Sequence, residues 1–192
     1  MKALDTKSKI LKEGRALLQR YGYNGFSFQD IADTIGIKKP SLYDHYSSKE
    51  ELMIAILEEY DRLFVAWTQK VDPLPPKEKI RQVFQVFYSF SCDGKKVCPV
   101  LALITDLKAL AKPVQTAMRA FIDKWLTWLT GVLKEGQKSH SIRSDLKAEM
   151  LSQMIYSQIM GAQLQAKIKN DPDLILEAAN GVIALISRES KT

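Results

Sequence analysis

The chain has 192 residues, 46% of them hydrophobic and 26% charged, with a net charge of +6. That length supports a sizeable core and two small units, and no apolar run approaches the ~18 residues a membrane span needs. Two cysteines are too few for a disulfide framework, two distant histidines give no metal-ligand spacing, and Met1-Lys2-Ala3-Leu4-Asp5 lacks the apolar region of a signal peptide. The expected location is therefore cytoplasmic, with no membrane partner, no metal and no cofactor.

Taken from the N-terminus, Asp5 or Thr6 can cap a first helix running to about Tyr21, with Ile10, Gly14, Leu17, Leu18 and Tyr21 on one stripe. Gly22 ends it, Tyr23-Asn24-Gly25 forms a loop, and Phe26 plugs the small core. Ser27 is an N-cap with Asp30 at the capping-box position, and Phe28, Ile31, Ala32 and Ile35 follow at helical spacing until Gly36 stops the helix. After Ile37, the segment from Lys38 to Tyr46 predicts another helix, with Pro40 in a first turn that tolerates it. Ala32 and Gly36 lie four apart, a small residue and a corner that let two helices cross steeply, as in a helix-turn-helix. The second helix then exposes Lys38, Lys39, Ser41, Tyr43, Asp44 and His45 while Leu42 and Tyr46 point inward. A polar, basic face of that kind is what a major-groove reader requires. Spacing alone leaves open an ordinary solvated pair of helices in an all-α protein.

Charge leans the same way. Through position 49 there are nine basic residues against five acidic ones, so four of the six net positive charges lie in the first quarter of the chain. Charge concentrated around the motif favours a polyanionic partner through phosphate neutralisation.

The run IADTIGIKKPSLYDHYSSKEELM resembles the DNA-binding motif of the TetR family of bacterial transcriptional regulators. The residues that carry the resemblance are Ile31-Ala32, Gly36-Ile37, Leu42-Tyr43, His45-Tyr46 and Ser48-Lys49-Glu50 with Leu52. Many members have Ser or Thr where Lys38 stands, and Lys38 cannot cap the recognition helix, so its start is expected to fray or shift. The resemblance implies a double-stranded DNA operator as partner and DNA contacts at Ser27, Lys38, Lys39, Pro40, Ser41, Tyr43, Asp44, His45 and Lys49. Tyr43 and Lys49, helped by Lys39 and His45, are expected to hold phosphates. Lys38, Pro40, Ser41 and Asp44 are expected to face base edges or methyl groups. Lys2, Lys7 and Lys9 form either a DNA-approaching arm or a solvated tail.

Ser47 and Ser48 can each cap a long helix to Val71, whose apolar side holds Leu52, Ile56, Leu57, Tyr60, Leu63, Phe64 and Trp67. Asp72-Pro73-Leu74-Pro75-Pro76 breaks the pattern. Further helices are predicted over Lys77–Ser91, Pro99 to about Ala111, Pro113–Gln137, Leu146–Lys169 and Pro172–Arg188. The expected fold is all-α with about nine helices: a three-helix helix-turn-helix head and a helical body, with no strands. The functional boundary is expected near Ser48, residues 1–48 binding DNA and 49–192 serving ligand binding and dimerisation.

In the body, Phe64, Phe87, Tyr88, Phe90, Met118, Phe121, Trp125, Trp128, Tyr156 and Met160 would suit a pocket for an apolar or aromatic effector. Packed core is the alternative for each of them. Tyr88, Thr105, Asp106, Gln158 and Gln165 are the polar groups that could orient a ligand. Small residues mark the last two helices at contact spacing, namely Gly161 and Ala162 on one and Ala178 and Gly181 on the other, with Met154, Gln158, Gln165, Val182 and Leu185 beside them. The family resemblance reads this as a homodimer joined through a four-helix bundle on a twofold axis. Cys98 follows Lys95 and Lys96 and precedes a proline at a helix start, a setting that favours thiolate. It resembles the cysteine of a redox- and electrophile-responsive TetR subgroup, with a buried, inert cysteine as the alternative. No His-Glu metal spacing, nucleophile elbow or phosphate-cradling glycine loop points to an enzyme.

Overall fold

The computed structural model describes residues 5–92 and 95–187. Among them are nine α-helices and one 3₁₀ turn: α1 (Thr6–Tyr21), α2 (Phe28–Ile35), α3 (Lys39–Tyr43), α4 (Lys49–Val71), α5 (Pro76–Ser91), α6 (Pro99–Ile104), the turn Leu107–Ala109, α7 (Lys112–Lys138), α8 (Ala148–Lys169) and α9 (Asp173–Ile186). The only strand-like pairing among the described residues is one isolated antiparallel bridge, Ile142 with Ser187. No described helix is long and apolar enough to cross a membrane.

The chain divides into two compact units, the first holding the described residues through Phe64 together with Cys98–Phe121, the second Val65–Val97 and the described residues from Ile122 on. In the first unit, Ile10, Leu18, Ile31, Ala32, Leu42, Leu52, Met53 and Ile56 are sealed from solvent. Gly14 makes this possible, because a Cβ there would meet Leu52 Cδ2 at 2.8 Å. Arg15 ties α1 to α4 through Glu59 at 2.7 Å. Phe26 is buried as expected, but Tyr21 and Leu63, placed by periodicity on apolar stripes, are 56% and 52% exposed. Tyr21 is the last residue of α1, and on α4 it is Tyr60 and Phe64, on either side of Leu63, that pack against Phe121.

The second unit packs α5, α8 and α9 with the later part of α7 around Ile80, Phe84, Leu129, Leu133, Ile159 and Ile175. Polar ties fasten it: Lys79, buried, reaches Glu135 at 2.8 Å, Lys77 reaches Ser187 at 3.3 Å, and Arg81 reaches Asn180 at 3.3 Å. Ala162 and Val182, grouped by spacing with a dimer surface, turn inward and are buried here.

Helix boundaries follow the expected pattern with two differences. The helix expected from Pro99 to about Ala111 stops at Ile104, and the chain passes through Asp106 into the 3₁₀ turn. The recognition helix is only five residues long, Lys39–Tyr43, followed by a turn. The far end expected for α9, Arg188, lies outside the described residues, as do Lys2 of the N-terminal arm and Asp93 and Gly94 of the loop after α5.

Candidate nucleic-acid interface

The three head helices start and stop through local chemistry. Asp5 caps α1 by accepting from the Ser8 N–H at 2.7 Å. At α2 the capping box is complete: the Ser27 N–H donates to Asp30 Oδ2 at 2.6 Å and the Asp30 N–H returns to Ser27 Oγ. The Ser27 hydroxyl also donates to that carboxylate at 2.7 Å. These bonds hold the Asp30 carboxyl below its ordinary value of 3.8, the Ser27 hydroxyl being the largest cause. Gly36 ends α2 at φ 73°, ψ 38°, a left-handed conformation that glycine adopts without penalty, and the corner it makes launches α3. At α4 it is Ser48 that caps, accepting from the Glu51 N–H at 3.1 Å, while the Glu51 carboxylate takes the Ser47 N–H at 2.7 Å.

Lys38 occupies the N-cap of α3 with no side-chain cap, and the helix opens on the Ser41 N–H donating to Lys38 O at 2.9 Å. Leu42 and Tyr46 are buried, so the opposite side of this short element faces outward. Lys38, Lys39, Pro40, Tyr43 and Asp44 are exposed, and Ser41 and His45 are half-buried. Tyr43 lies against Phe28 of α2 with ring centroids 5.3 Å apart and remains 50% exposed, so its ring is braced while its edge meets solvent. The structure thus gives the outer side of this segment Lys38, Lys39, Pro40, Tyr43 and Asp44, with Ser41 and His45 partly covered.

Lys49 and Ser27 are placed differently. The Lys49 ammonium donates to the backbone carbonyls of Tyr23 and Phe26 and lies over both rings, 4.7 Å and 3.9 Å from their centroids. Burial lowers its pKa, opposed by the nearby charges of Asp106, Asp30 and Glu50. Two of its three N–H groups are therefore used inside the protein, and the Ser27 hydroxyl is held in the capping box. The Tyr23 hydroxyl donates to Glu50 at 3.1 Å, and its pKa is pushed up to about 12, by burial first and then by the Glu50 charge. Lys7, on α1, sits 5.4 Å above the Tyr46 ring. Asp106, one of the polar groups that the sequence offers for orienting a ligand, is bound to Asn24, a residue that periodicity and capping rules miss. Asn24 donates to the Asp106 carboxylate from its side chain at 2.7 Å and from its backbone at 3.3 Å.

The residues expected to line an effector pocket fall in both units. In the first, Phe121 meets Tyr60 and Phe64 at 5.2 Å and 5.7 Å, and Met118 is buried. Thr105 is exposed there, its hydroxyl donating to Ala102 O at 2.9 Å. In the second, Phe90, Phe87, Trp125 and Tyr156 form a continuous series of ring contacts at 6.0, 6.5 and 5.3 Å, and Trp128 pairs with Trp67 at 5.1 Å. Met160 is half-buried, and Tyr88 is also half-buried, its phenol held above the ordinary value chiefly by the Asp173 charge. Cys98 is buried as the N-cap of α6, its Sγ accepting from the Leu101 N–H at 3.3 Å, and Cys92 is exposed. No group of three or more His, Cys, Asp or Glu among the described residues could hold a metal ion.

A capped helix, a left-handed glycine corner and a short helix showing a basic outer face define a helix-turn-helix DNA-binding protein carried on an all-helical body. Residues 10–56 match the family model described as bacterial regulatory proteins, tetR family, and residues 76–182 match that of the tetracyclin repressor-like C-terminal domain. The chain belongs to the TetR family: it is a DNA-binding transcriptional regulator, of a kind that binds DNA operators, and not an enzyme. It is 25% identical over 168 residues to the HTH-type transcriptional repressor DhaR of Mycobacterium sp. (strain GP1), covering 86% of this chain and 84% of DhaR. It is 24% identical over 172 residues to the HTH-type transcriptional repressor NemR of Escherichia coli K12, covering 85% of each. A TetR transcriptional regulator from Legionella pneumophila superposes with a TM-score of 0.87 at 28% identity, covering 97% of this chain and 100% of that one. A TetR-family regulator from Agrobacterium tumefaciens gives 0.89 at 24% identity, covering 95% and 97%.

Proposed function

We propose that this regulator is a cytoplasmic repressor that binds a palindromic operator as a homodimer and is released by a small hydrophobic or aromatic effector. The observation that carries the reading is α3: its inner residues are buried while Lys38, Lys39, Pro40, Tyr43 and Asp44 stand together in solvent. Lys38, Pro40, Ser41 and Asp44 meet base edges or thymine methyls, and Tyr43, Lys39 and His45 meet phosphates. Lys49 and Ser27 act chiefly from inside, holding the loop and helix that aim α3. A phosphate would use the remaining Lys49 N–H.

A dimer is supported by α8 and α9. Met150, Met154, Gly161, Leu164 and Ile168 recur at i, i+4, i+11, i+14 and i+18, one face of α8, and Ile168 is 83% exposed. Leu185 on α9 is 64% exposed, with Gly181 one turn before it. A monomer seldom leaves such a row bare. Two heads spaced about one DNA turn, ~34–36 Å, then read two half-sites. In this reading residues 1–48 read DNA and 49–192 bind effector and partner, and the linked rings of Phe90, Phe87, Trp125 and Tyr156 favour an aromatic ligand. Effector and operator affinities are then coupled reciprocally.

The test is selection of duplexes from a randomised pool by the full chain at low salt, followed by displacement with a panel of small aromatic compounds. Enrichment of an inverted repeat, and its release by at least one compound class, is the expected result. A pool that emerges unenriched overturns the DNA reading, and a panel that leaves every complex intact overturns the effector class.

A further inference from the structure

The loop between α1 and α2, residues 22–26, is held from two sides. From α4 the Lys49 ammonium binds the Tyr23 and Phe26 carbonyls. From beyond the end of α6 comes Asp106, whose carboxylate spends both oxygens on one residue: Oδ1 accepts from Asn24 Nδ2 at 2.7 Å and Oδ2 from the Asn24 N–H at 3.3 Å. A chelate of this kind sets orientation as well as distance, and its charge strengthens both bonds. The loop is shaped to admit it. Gly22 has φ +81°, and a Cβ there would lie 3.3 Å from Asp106 Oδ2 and 3.9 Å from Ala102 O and Thr105 Oγ1. A Cβ on Gly25 would lie 2.2 Å from Tyr21 O, so neither flank of Tyr23-Asn24 accepts a larger residue in this conformation. Asp106 and Lys49 thus face one short loop with opposite charges, and of the acids that favour the Lys49 ammonium Asp106 has the largest effect.

We propose that Asp106 is a positioning residue for DNA reading: by clamping Asn24 from the end of α6 it sets the entry of α2 and hence the aim of α3. The proposal rests on the DNA reading above. Ser27, the cap of α2, lies three residues beyond Asn24, so a turn of the loop becomes a turn of the capped helix. Any displacement of the α6 end is transmitted through the same carboxylate, which can pull on Asn24 as well as push. Asn24 is exposed, so once the clamp is broken water can satisfy its donors. The loss falls on orientation more than on stability.

The experiment is a donor–acceptor swap in the full-length chain, read by affinity for a selected duplex and by hydrogen exchange of the amides of residues 27–46. Asn24→Asp sets two carboxylates against each other and should weaken duplex binding about tenfold or more, with faster exchange in this segment and the thermal midpoint nearly unchanged. In the double variant Asn24→Asp/Asp106→Asn the amide introduced at position 106 donates to the carboxylate introduced at position 24, and its carbonyl accepts the backbone N–H. Affinity should then return to within about threefold of the parent. Asp106→Ala should behave like Asn24→Asp in direction. The proposal is overturned if the single variants bind and exchange like the parent, or if the swap rescues neither readout. Should the parent bind no duplex at all, the DNA reading fails separately, and the exchange arm still decides whether the clamp orders α2 and α3.

Discussion

Lys49 and Lys38 are both lysines of the same motif, yet they differ in where the charge goes. The Lys49 ammonium is turned onto two carbonyls and two rings, whereas Lys38 stands exposed with no cap to make. Lys49→Met should therefore cost about 1–3 kcal/mol of stability by stripping part-buried carbonyls of their donor. Lys38→Ala should leave urea unfolding unchanged, weaken binding to the selected duplex, and relax sequence preference at the base pair it meets. Paired unfolding and binding titrations check both, and equal stability of the two variants would contradict the assignment. Tyr23 offers a pH test. Its folded pKa, about 12, lies above the ordinary 10.0, so the neutral phenol is favoured in the native state. The associated stability is whole below pH 10.0 and is lost as pH rises through about 12. Tyr23→Phe should flatten the urea midpoint against pH in this alkaline window, at the cost of the Glu50 hydrogen bond at neutral pH. At this scale the sequence marked Lys38, Lys39, Ser41, Tyr43, Asp44 and His45 as outward and Leu42 and Tyr46 as inward, because a helical face follows from local spacing. It could not show that Lys49 bends back to residues 23 and 26, since two lysines of one motif look alike until the chain has closed around one of them.

Among the elements, α2 is the most completely specified locally, with cap, reciprocal acid, apolar stripe and stop all inside Ser27–Gly36. Ser27→Ala should cost about 0.5–2 kcal/mol. The Asp30 carboxyl is held below its ordinary 3.8, so its contribution is present above that pH and disappears as pH falls through the lower folded value. In Ser27→Ala the stability should therefore change less than in the parent as pH falls through 3.8 and below, as circular dichroism on urea titration would measure; an unchanged acid limb would show that Ser27 is not what lowers Asp30. The opposite case is α6. Its apolar spacing continues past Ile104 toward Ala111, so the sequence predicts one longer helix. The helix instead ends before Asp106, whose carboxylate binds Asn24, 82 residues earlier in the chain. A local preference for helix yields there to a distant hydrogen-bonding partner.

The whole molecule presents a bare apolar row on α8 and α9 that two copies can cover. Replacing Leu164 and Ile168 together by Glu should give monomers by sedimentation at micromolar concentration with helical content intact, and duplex affinity should fall steeply because one head reaches only one half-site. Dimers persisting in that double variant would place the interface elsewhere. Spacing on α8 and α9 grouped these residues into one contact surface, but folding sorted them: Ala162 and Val182 went into the core while Met154 and Leu185 stayed outside. Both sets fit a helical stripe, and only the position of α5 and α9 against α8 decides which side is already covered.

The sequence by itself determined the helical class, the caps and corner of α2, and the inner and outer sides of α3, because each arises between residues three or four positions apart. Tertiary structure alone decided where Lys49 points, where α6 ends, which aromatic rings meet and which carboxylate grips Asn24. Those are encounters between residues tens of positions apart, and the free energy that selects them exists only once the intervening chain has packed.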